Sequence, residues 1–168
     1  MVNSCIIRHQ FPHTTLTVMN IALQEISQQQ LSAFEKESIL RHAVDLHLVG
    51  TDEPDDAGFD LIEARAANVK HLFRIVSEGS NAGVMYVQPF RDLPQHYEMT
   101  ILILPGHRGK HITAEAVSQL ERQMKTQGNV TLCATVREHN PMRQELTNLL
   151  LKQGYQYNST QMAFTKVL

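Results

Sequence analysis

The feature that most constrains the fold is the junction over residues 99–113, where an apolar run enters a basic turn and continues into a helical pattern. A turn of this kind places the first N–H groups of the helix, which have no partner inside it, beside Arg108 and Lys110. This arrangement suits an anion, and a phosphate or pyrophosphate is the natural ligand. The alternative is a solvent-exposed basic turn, and the pattern alone does not separate the two.

Two common phosphate motifs are absent from the junction. Gly109 and Lys110 are followed by His111, so the sequence lacks the GxxxxGK[ST] pattern of a P-loop. No GxGxxG pattern occurs, which argues against a dinucleotide-binding domain.

The residues before the junction predict one strand and two helices. The strand covers 16–23, and the first helix runs from Ser27, as N-cap, to about Leu48. The apolar residues expected to face the core in this helix are Leu31, Phe34, Ala43 and Leu46. An acidic loop over 50–56 precedes the second helix, which starts near Asp56. Its apolar positions are Phe59, Ile62, Ala66 and Val69.

The rest of the chain alternates between strand and helix patterns. Three strands are predicted, with a hairpin turn at 79–81 between the first two, and they cover 72–76, 83–87 and 97–104. A helix over 113–127, a buried strand over 130–136 and a helix capped by Asn140 follow, the last with an inner face of Met142, Leu146, Leu149 and Leu150. A hairpin of 155–158 and 161–167 closes the chain. This order predicts a mixed α/β sheet in which helices connect at least two parallel strands.

Composition excludes several classes of protein. The 168 residues fit one domain, and 15 basic against 17 acidic residues argue against a nucleic-acid-binding protein. The two cysteines form neither a disulfide framework nor a CxxC zinc site. The nine histidines form no HExxH pattern, so we expect no metal. No apolar run approaches the roughly 20 residues that span a bilayer, and no signal peptide is visible, so we expect a cytoplasmic protein without membrane contact.

Two blocks of the sequence together resemble the GNAT superfamily of acetyl-CoA-dependent N-acetyltransferases. The turn Pro105-Gly-His-Arg108-Gly109-Lys110-His111-Ile112-Thr113 is similar to the family's P-x-x-R-G-x-G-x-G/A. The stretch from Val136 through Asn140 to Gly154-Tyr155 resembles its V-x-x-x-N…L-x-x-x-G-F block. The resemblance implies a central mixed, mostly antiparallel sheet flanked by about four helices, with splayed parallel strands at the CoA site. It implies a single domain over 1–168, in which 1–15 could add an N-terminal strand or arm.

The resemblance also implies the reaction and the binding residues. Acetyl-CoA would be the co-substrate, and its acetyl group would pass to a primary amine of a small molecule or peptide by direct attack in a ternary complex. The pyrophosphate would be held by Arg108, Gly109, Lys110, His111, Ile112 and Thr113. The pantetheine arm would pair with the main chain of Leu102, Ile103 and Leu104, with a contact from Asn140.

The candidate bases lie on one of the two strands that flank this site and in the loop after the other. Glu98 lies near the start of the strand that leads to Pro105, and its alternative role is that of an exposed carboxylate. Glu138 and His139 follow the next strand, where the alternative is an ordinary polar loop. Tyr97 and Tyr155 are the remaining acid candidates, and packing is the better interpretation of each. Cys133 is expected to be a small core residue.

The sequence departs from the family pattern at three positions. His111 and Thr113 replace glycines, and Leu150 stands where many members carry a tyrosine acid. A rival interpretation is therefore a non-catalytic acyl-CoA sensor or partner-binding module on the same fold. A nucleotide-phosphate-binding domain is a third. The acidic loop hints at a cationic acceptor, and the edge strand of the last hairpin allows a homodimer.

Overall fold

The computed structural model describes residues 20–45, 69–109 and 111–168. Within them the chain forms seven strands and three α-helices. The strands are β1 (Ile21–Glu25), β2 (His71–Ser77), β3 (Ser80–Pro89), β4 (His96–Ile103), β5 (Thr131–Ala134), β6 (Gln156–Asn158) and β7 (Ala163–Val167). The helices are α1 (Ala33–Asp45), α2 (Ile112–Lys125) and α3 (Arg143–Lys152).

All seven strands belong to one sheet, in the order β1-β2-β3-β4-β5-β7-β6. Every neighbouring pair is antiparallel except β4 and β5, which are parallel. A parallel pair needs a crossover connection, and α2 supplies it. The mixed, mostly antiparallel sheet predicted from the sequence is confirmed.

The sheet buries both of its faces. On one face α2 packs its apolar stripe, spaced three and four residues apart, against alternate residues of the strands. The buried residues of this stripe are Ile112, Ala116, Val117, Leu120 and Met124. Truncating a fully buried leucine such as Leu120 to alanine costs roughly 2–5 kcal/mol in proteins, so this face holds α2 firmly. The other face carries Leu72 and Val84, with Ile39 of α1 packed against them.

The start of the first helix differs from the prediction. Ser27 precedes a short 3-10 turn, Gln28–Gln30, and α1 begins at Ala33. Ser32 and Glu35 form a reciprocal capping box there: the Glu35 N–H donates to Ser32 Oγ at 3.2 Å, and the Ser32 N–H donates to Glu35 Oε2 at 2.7 Å. Phe34 was expected in the core but is 58% exposed, because the position that faces the sheet is Glu35.

The helix after Asn140 also begins later than predicted. Asn140 is not the N-cap, because α3 starts at Arg143 and the cap position is Met142. Asn140 Oδ1 instead accepts from the Met142 N–H at 2.9 Å, which closes a turn before the helix. Met142 is therefore 49% exposed rather than part of the inner face, whereas Leu150 is buried as expected.

Several predictions fall on residues that the structure does not describe. The first part of the predicted N-terminal strand, the acidic loop and nearly all of the second helix lie outside the described residues. Val69 is described and packs against the cluster of Leu72 and Val84. The final hairpin and the stop of α3 at Gly154, with φ of +86°, agree with the sequence.

A buried ion pair fastens α1 to the sheet. The Glu35 carboxylate is fully buried and accepts from Arg74 Nε at 2.7 Å and Arg74 Nη2 at 2.9 Å. Asn81 Nδ2 adds a third bond at 2.9 Å. Burial by itself raises the pKa of Glu35, but the bonds from Arg74 and Ser32 outweigh it and lower the pKa to about 2. The carboxylate therefore stays ionised at neutral pH.

This pair makes stability depend on acid pH. A carboxyl whose pKa falls from 4.5 to about 2 on folding stabilises the fold above pH 4.5, and this is lost as pH falls towards 2. The loss amounts to about 3 kcal/mol. Urea unfolding of the wild type and of Glu35→Gln at pH 7, 4.5 and 2.5 should show this acid-dependent loss in the wild type only.

The matched control is Glu37→Gln, because Glu37 pairs with Arg41 at 2.6 Å on the exposed side of the same helix. An exposed pair contributes roughly 0–1 kcal/mol, so this variant should keep the acid-dependent loss of the wild type. An equal loss in Glu35→Gln would contradict the assignment.

Candidate active site

The parallel strands β4 and β5 separate within the sheet. They pair at three positions, His96↔Thr131, Tyr97↔Leu132 and Glu98↔Cys133. β4 continues to Ile103, whereas β5 ends at Ala134, so among the described residues the second half of β4 has no strand partner on that side. This is the splayed arrangement that the resemblance to the GNAT superfamily implies, and it leaves a gap lined by the edge of β4.

The hydrogen bonds at the ends of β4 show which of its residues face the gap. The Leu104 N–H donates to Ala82 O on the β3 side, and Gln95 O accepts from the Thr131 N–H on the β5 side. Because successive residues of a strand direct their main-chain groups to opposite sides, Ile101 and Ile103 face the gap. Of the three strand residues predicted to bind the cofactor, only Ile103 therefore directs its main-chain groups into the gap. Ile101 was missed by the sequence analysis, because the side to which a residue directs its main-chain groups depends on how the strands pair.

The loop after β4 leads directly to the N-terminus of α2. A 3-10 turn, Pro105–His107, is followed by Gly109 with φ of +76° and His111 with φ of +55°. α2 begins at Ile112, and His111 makes no side-chain cap bond to it. The first N–H groups of α2, including those of Ile112 and Thr113, therefore have no partner within the helix. Lys110 lies outside the described residues.

Arg108 adds positive charge to the same end of the gap. Its side chain is exposed, and its Nε donates to Ile103 O at 3.3 Å. A cation, a set of unpaired N–H groups and the positive end of the α2 dipole thus converge where β4 ends. These groups suit a phosphate ligand.

Glu98 lies at the other end of the gap. It is the last residue of β4 that pairs with β5, and it is half-buried. Ile103 lies five positions further along the strand, a distance of roughly 16 Å in extended backbone. The gap is therefore long enough for an extended ligand that has a phosphate at one end.

The other predicted residues lie beyond the end of β5. Glu138 and His139 are exposed in the loop between β5 and α3. Asn140 follows them, half-buried, with its side-chain oxygen held by the Met142 N–H. No described hydrogen bond joins Glu138 or Asn140 to Glu98 or to the loop.

The surroundings of Tyr155, Tyr97 and Cys133 indicate packing and contact roles rather than catalytic ones. Tyr155 is 1% exposed, and burial, followed by the nearby Glu121 carboxylate, raises its pKa far above the usual range. The Tyr97 hydroxyl accepts from Lys70 Nζ at 2.8 Å. Cys133 is fully buried, and burial together with the charge of Glu98 raises the pKa of its thiol to about 12. A neutral thiol in the core is a poor nucleophile.

Other kinds of site receive little support from the described part of the chain. There, no group of three or more His, Cys, Asp or Glu side chains could hold a metal ion. None of its helices is both long and apolar enough to span a bilayer. A cleft of about 420 Å³ lies away from the gap, near Glu25, His71 and Gln127. Its His71 ring is already held by Glu25 at 2.8 Å and by Gln127 at 3.1 Å.

A family comparison identifies the class of protein. The family model described as "Acetyltransferase (GNAT) family" matches residues 34–149, which is more than half of the chain. The protein therefore belongs to the GNAT family of acetyltransferases. A comparison with curated protein sequences gives no significant match.

Solved structures share the fold at low sequence identity. A candidate acetyltransferase from Acinetobacter baylyi ADP1 has a TM-score of 0.65 and 14% identity, over 90% of this chain and 95% of that one. A candidate acetyltransferase from Salmonella typhimurium, with its cofactor acetyl-CoA, has a TM-score of 0.59 and 18% identity, over 81% and 79%. Spermidine N-acetyltransferase from Vibrio cholerae, in complex with CoA and spermine, has a TM-score of 0.60 and 14% identity, over 88% and 92%.

The left-handed backbone at Gly109 can be tested directly. A Cβ at Gly109 has open space around it, but its φ of +76° disfavours any side chain. We expect Gly109→Ala to lower the free energy of unfolding by about 1 kcal/mol or more, measured by urea denaturation. Gly106→Ala is the matched control, because Gly106 has the same open space without a positive φ, and it should cost less than about 0.5 kcal/mol. Equal effects of the two variants would contradict this loop geometry.

Proposed function

We propose that the protein is an acetyl-CoA-dependent N-acetyltransferase that acetylates a primary amine of a small molecule or peptide. The observation that carries the proposal is the gap beside β4, with an anion-binding loop at one end and the Glu98 carboxylate at the other. Membership of the GNAT family supports acetyl transfer in general. The structures with acetyl-CoA or CoA bound support the ligand class.

The residues present fit acetyl-CoA. The pyrophosphate would lie on the N–H groups at the start of α2, with Arg108 and Lys110 as cations and Gly109 allowing close approach. The extended arm would follow the free edge of β4 at Ile101 and Ile103. When bound there, acetyl-CoA supplies an activated acyl group as a thioester.

The chain's own residues would move a proton and stabilise charge. A primary amine has a pKa near 10, so about one molecule in a thousand is neutral at pH 7. Glu98 would accept the surplus proton, directly or through a water molecule. A main-chain N–H at the free edge of β4 would donate to the carbonyl oxygen as it gains charge. Glu138 and His139 are the second choice for the base, with Asn140 beside the arm.

A second function is favoured by two observations. Leu150, at the position where the family pattern often has tyrosine, is 4% exposed and packed in the core. His111 also occupies a left-handed position that suits glycine. A protein with these features could bind acyl-CoA without turnover and act as a sensor or partner-binding module.

Binding can be tested by isothermal titration of the wild type with acetyl-CoA. We expect Arg108→Ala to weaken binding by roughly ten- to a hundredfold, because a hydrogen bond to a charged group contributes about 1.5–3 kcal/mol. Arg41→Ala, which removes an exposed arginine of α1, is the matched control and should bind like the wild type. Absence of binding at millimolar acetyl-CoA, or equal binding of ATP and NAD, would rule out the proposal.

Catalysis can be tested with Glu98→Gln. Thiol release from acetyl-CoA would be measured against polyamines, aminoglycosides and peptide amines. Loss of a general base should lower kcat/KM by about 10²–10⁴, with acetyl-CoA affinity within twofold of the wild type. An unchanged rate would exclude Glu98 as the base and direct attention to Glu138 and His139. Tight binding without turnover of any amine would favour the sensor.

A further inference from the structure

We propose that Gln88 is a positioning residue for Glu98, an inference that rests on the proposed function of Glu98 as the base. Gln88 lies on β3 directly opposite Glu98 in the antiparallel ladder. Its Nε2 donates to Glu98 Oε2 at 3.3 Å. Directly opposed side chains have Cβ atoms about 4.5–5.5 Å apart, so the two groups are held within reach of each other.

The bond leaves one carboxylate oxygen available. Gln88 engages Oε2, and Oε1 of Glu98 makes no hydrogen bond with any residue that the structure describes. Both side chains are half-buried on the face of the sheet opposite α2. A carboxylate fixed through one oxygen presents the other in a constant direction, which is what proton transfer from a bound amine requires.

The neighbouring charged and titratable groups do not replace this bond. Cys133 on β5 pairs with Glu98 along the strands, and the charges of Glu98 and Arg91 both act on its thiol. Neither Cys133 nor Arg91 forms a hydrogen bond or ion pair with Glu98 in the described structure. Gln88 is therefore the contact that sets the orientation of the carboxylate.

A glutamine suits this role better than a cation would. An arginine or lysine next to Glu98 would strongly stabilise the ionised carboxylate and make it a weaker base. The neutral amide of Gln88 fixes the carboxylate without neutralising its charge.

The test compares the pH dependence of kcat/KM in the wild type, Gln88→Glu and Gln88→Met. Gln88→Glu places a second carboxylate beside the first, so the two share protons and the acid limb should move up by at least one pH unit. Gln88→Met keeps the length of the side chain without a donor, and kcat should fall about tenfold with KM for the amine within twofold. Gln123→Glu makes the same charge change on an exposed turn of α2 and should leave the acid limb in place.

A second measurement does not depend on activity. The carboxyl ¹³C resonance of Glu98, identified by its loss in Glu98→Gln, would be followed through a pH titration of the free protein. Gln88→Glu should convert its titration into a two-step curve. A resonance that titrates identically in the wild type, Gln88→Glu and Gln88→Met would overturn the proposal.

The outcomes separate this proposal from the function on which it rests. If Glu98→Gln is inactive while both Gln88 variants keep the wild-type pH profile, Gln88 has no positioning role and the proposed function stands. If the wild type acetylates no amine, the proposed function fails and the catalytic role of Gln88 fails with it. The carboxyl titration then shows only whether the hydrogen bond exists.

Discussion

The partial pairing of β4 with β5 is the constraint on which the site depends. Main-chain N–H and C=O groups inside a protein need hydrogen-bond partners. β5 supplies these partners at the start of β4, but not to the edge of β4 beyond Glu98. An extended ligand can take their place. The connection that makes the pair parallel is α2, so the same crossover brings a helix N-terminus to the end of the gap.

The two faces of the sheet hold the walls of this gap in different ways. On one face, close packing of the α2 stripe fixes where the helix begins and therefore where its unpaired N–H groups lie. On the other face, Glu35 binds Arg74 of β2 and Asn81 of β3, which ties α1 to β2 and to β3, the neighbour of β4. Apolar packing thus fixes the position of the loop before α2, and the hydrogen-bonded, buried carboxylate of Glu35 fixes the position of α1.

Local patterns in the sequence predicted the elements and the loop, but not the contacts between strands. Alternation, helical spacing and Gly/Pro positions are properties of short segments, and they placed β2, β3, β4, α2 and the final hairpin correctly. The roles of Ile101 and Gln88 depend on register, which joins residues distant in the chain. The helix start at Ser32 was missed because Ser27 offers a similar signal, and only Arg74 reveals that Glu35 faces inwards. The prediction that Asn140 caps the helix was wrong because an Asn-Pro pair can close a turn as well as cap a helix.

Gly83 of β3 lies on the side of β4 that faces away from the gap. A Cβ at this residue would collide with the carbonyl oxygen of Leu102, so the absence of a side chain lets β3 and β4 approach closely. Any larger residue would force β3 and the end of β4 apart. One edge of the gap is thus held in place by a residue that no ligand in the gap would touch, and variation at Gly83 would shift that edge without changing a single lining side chain.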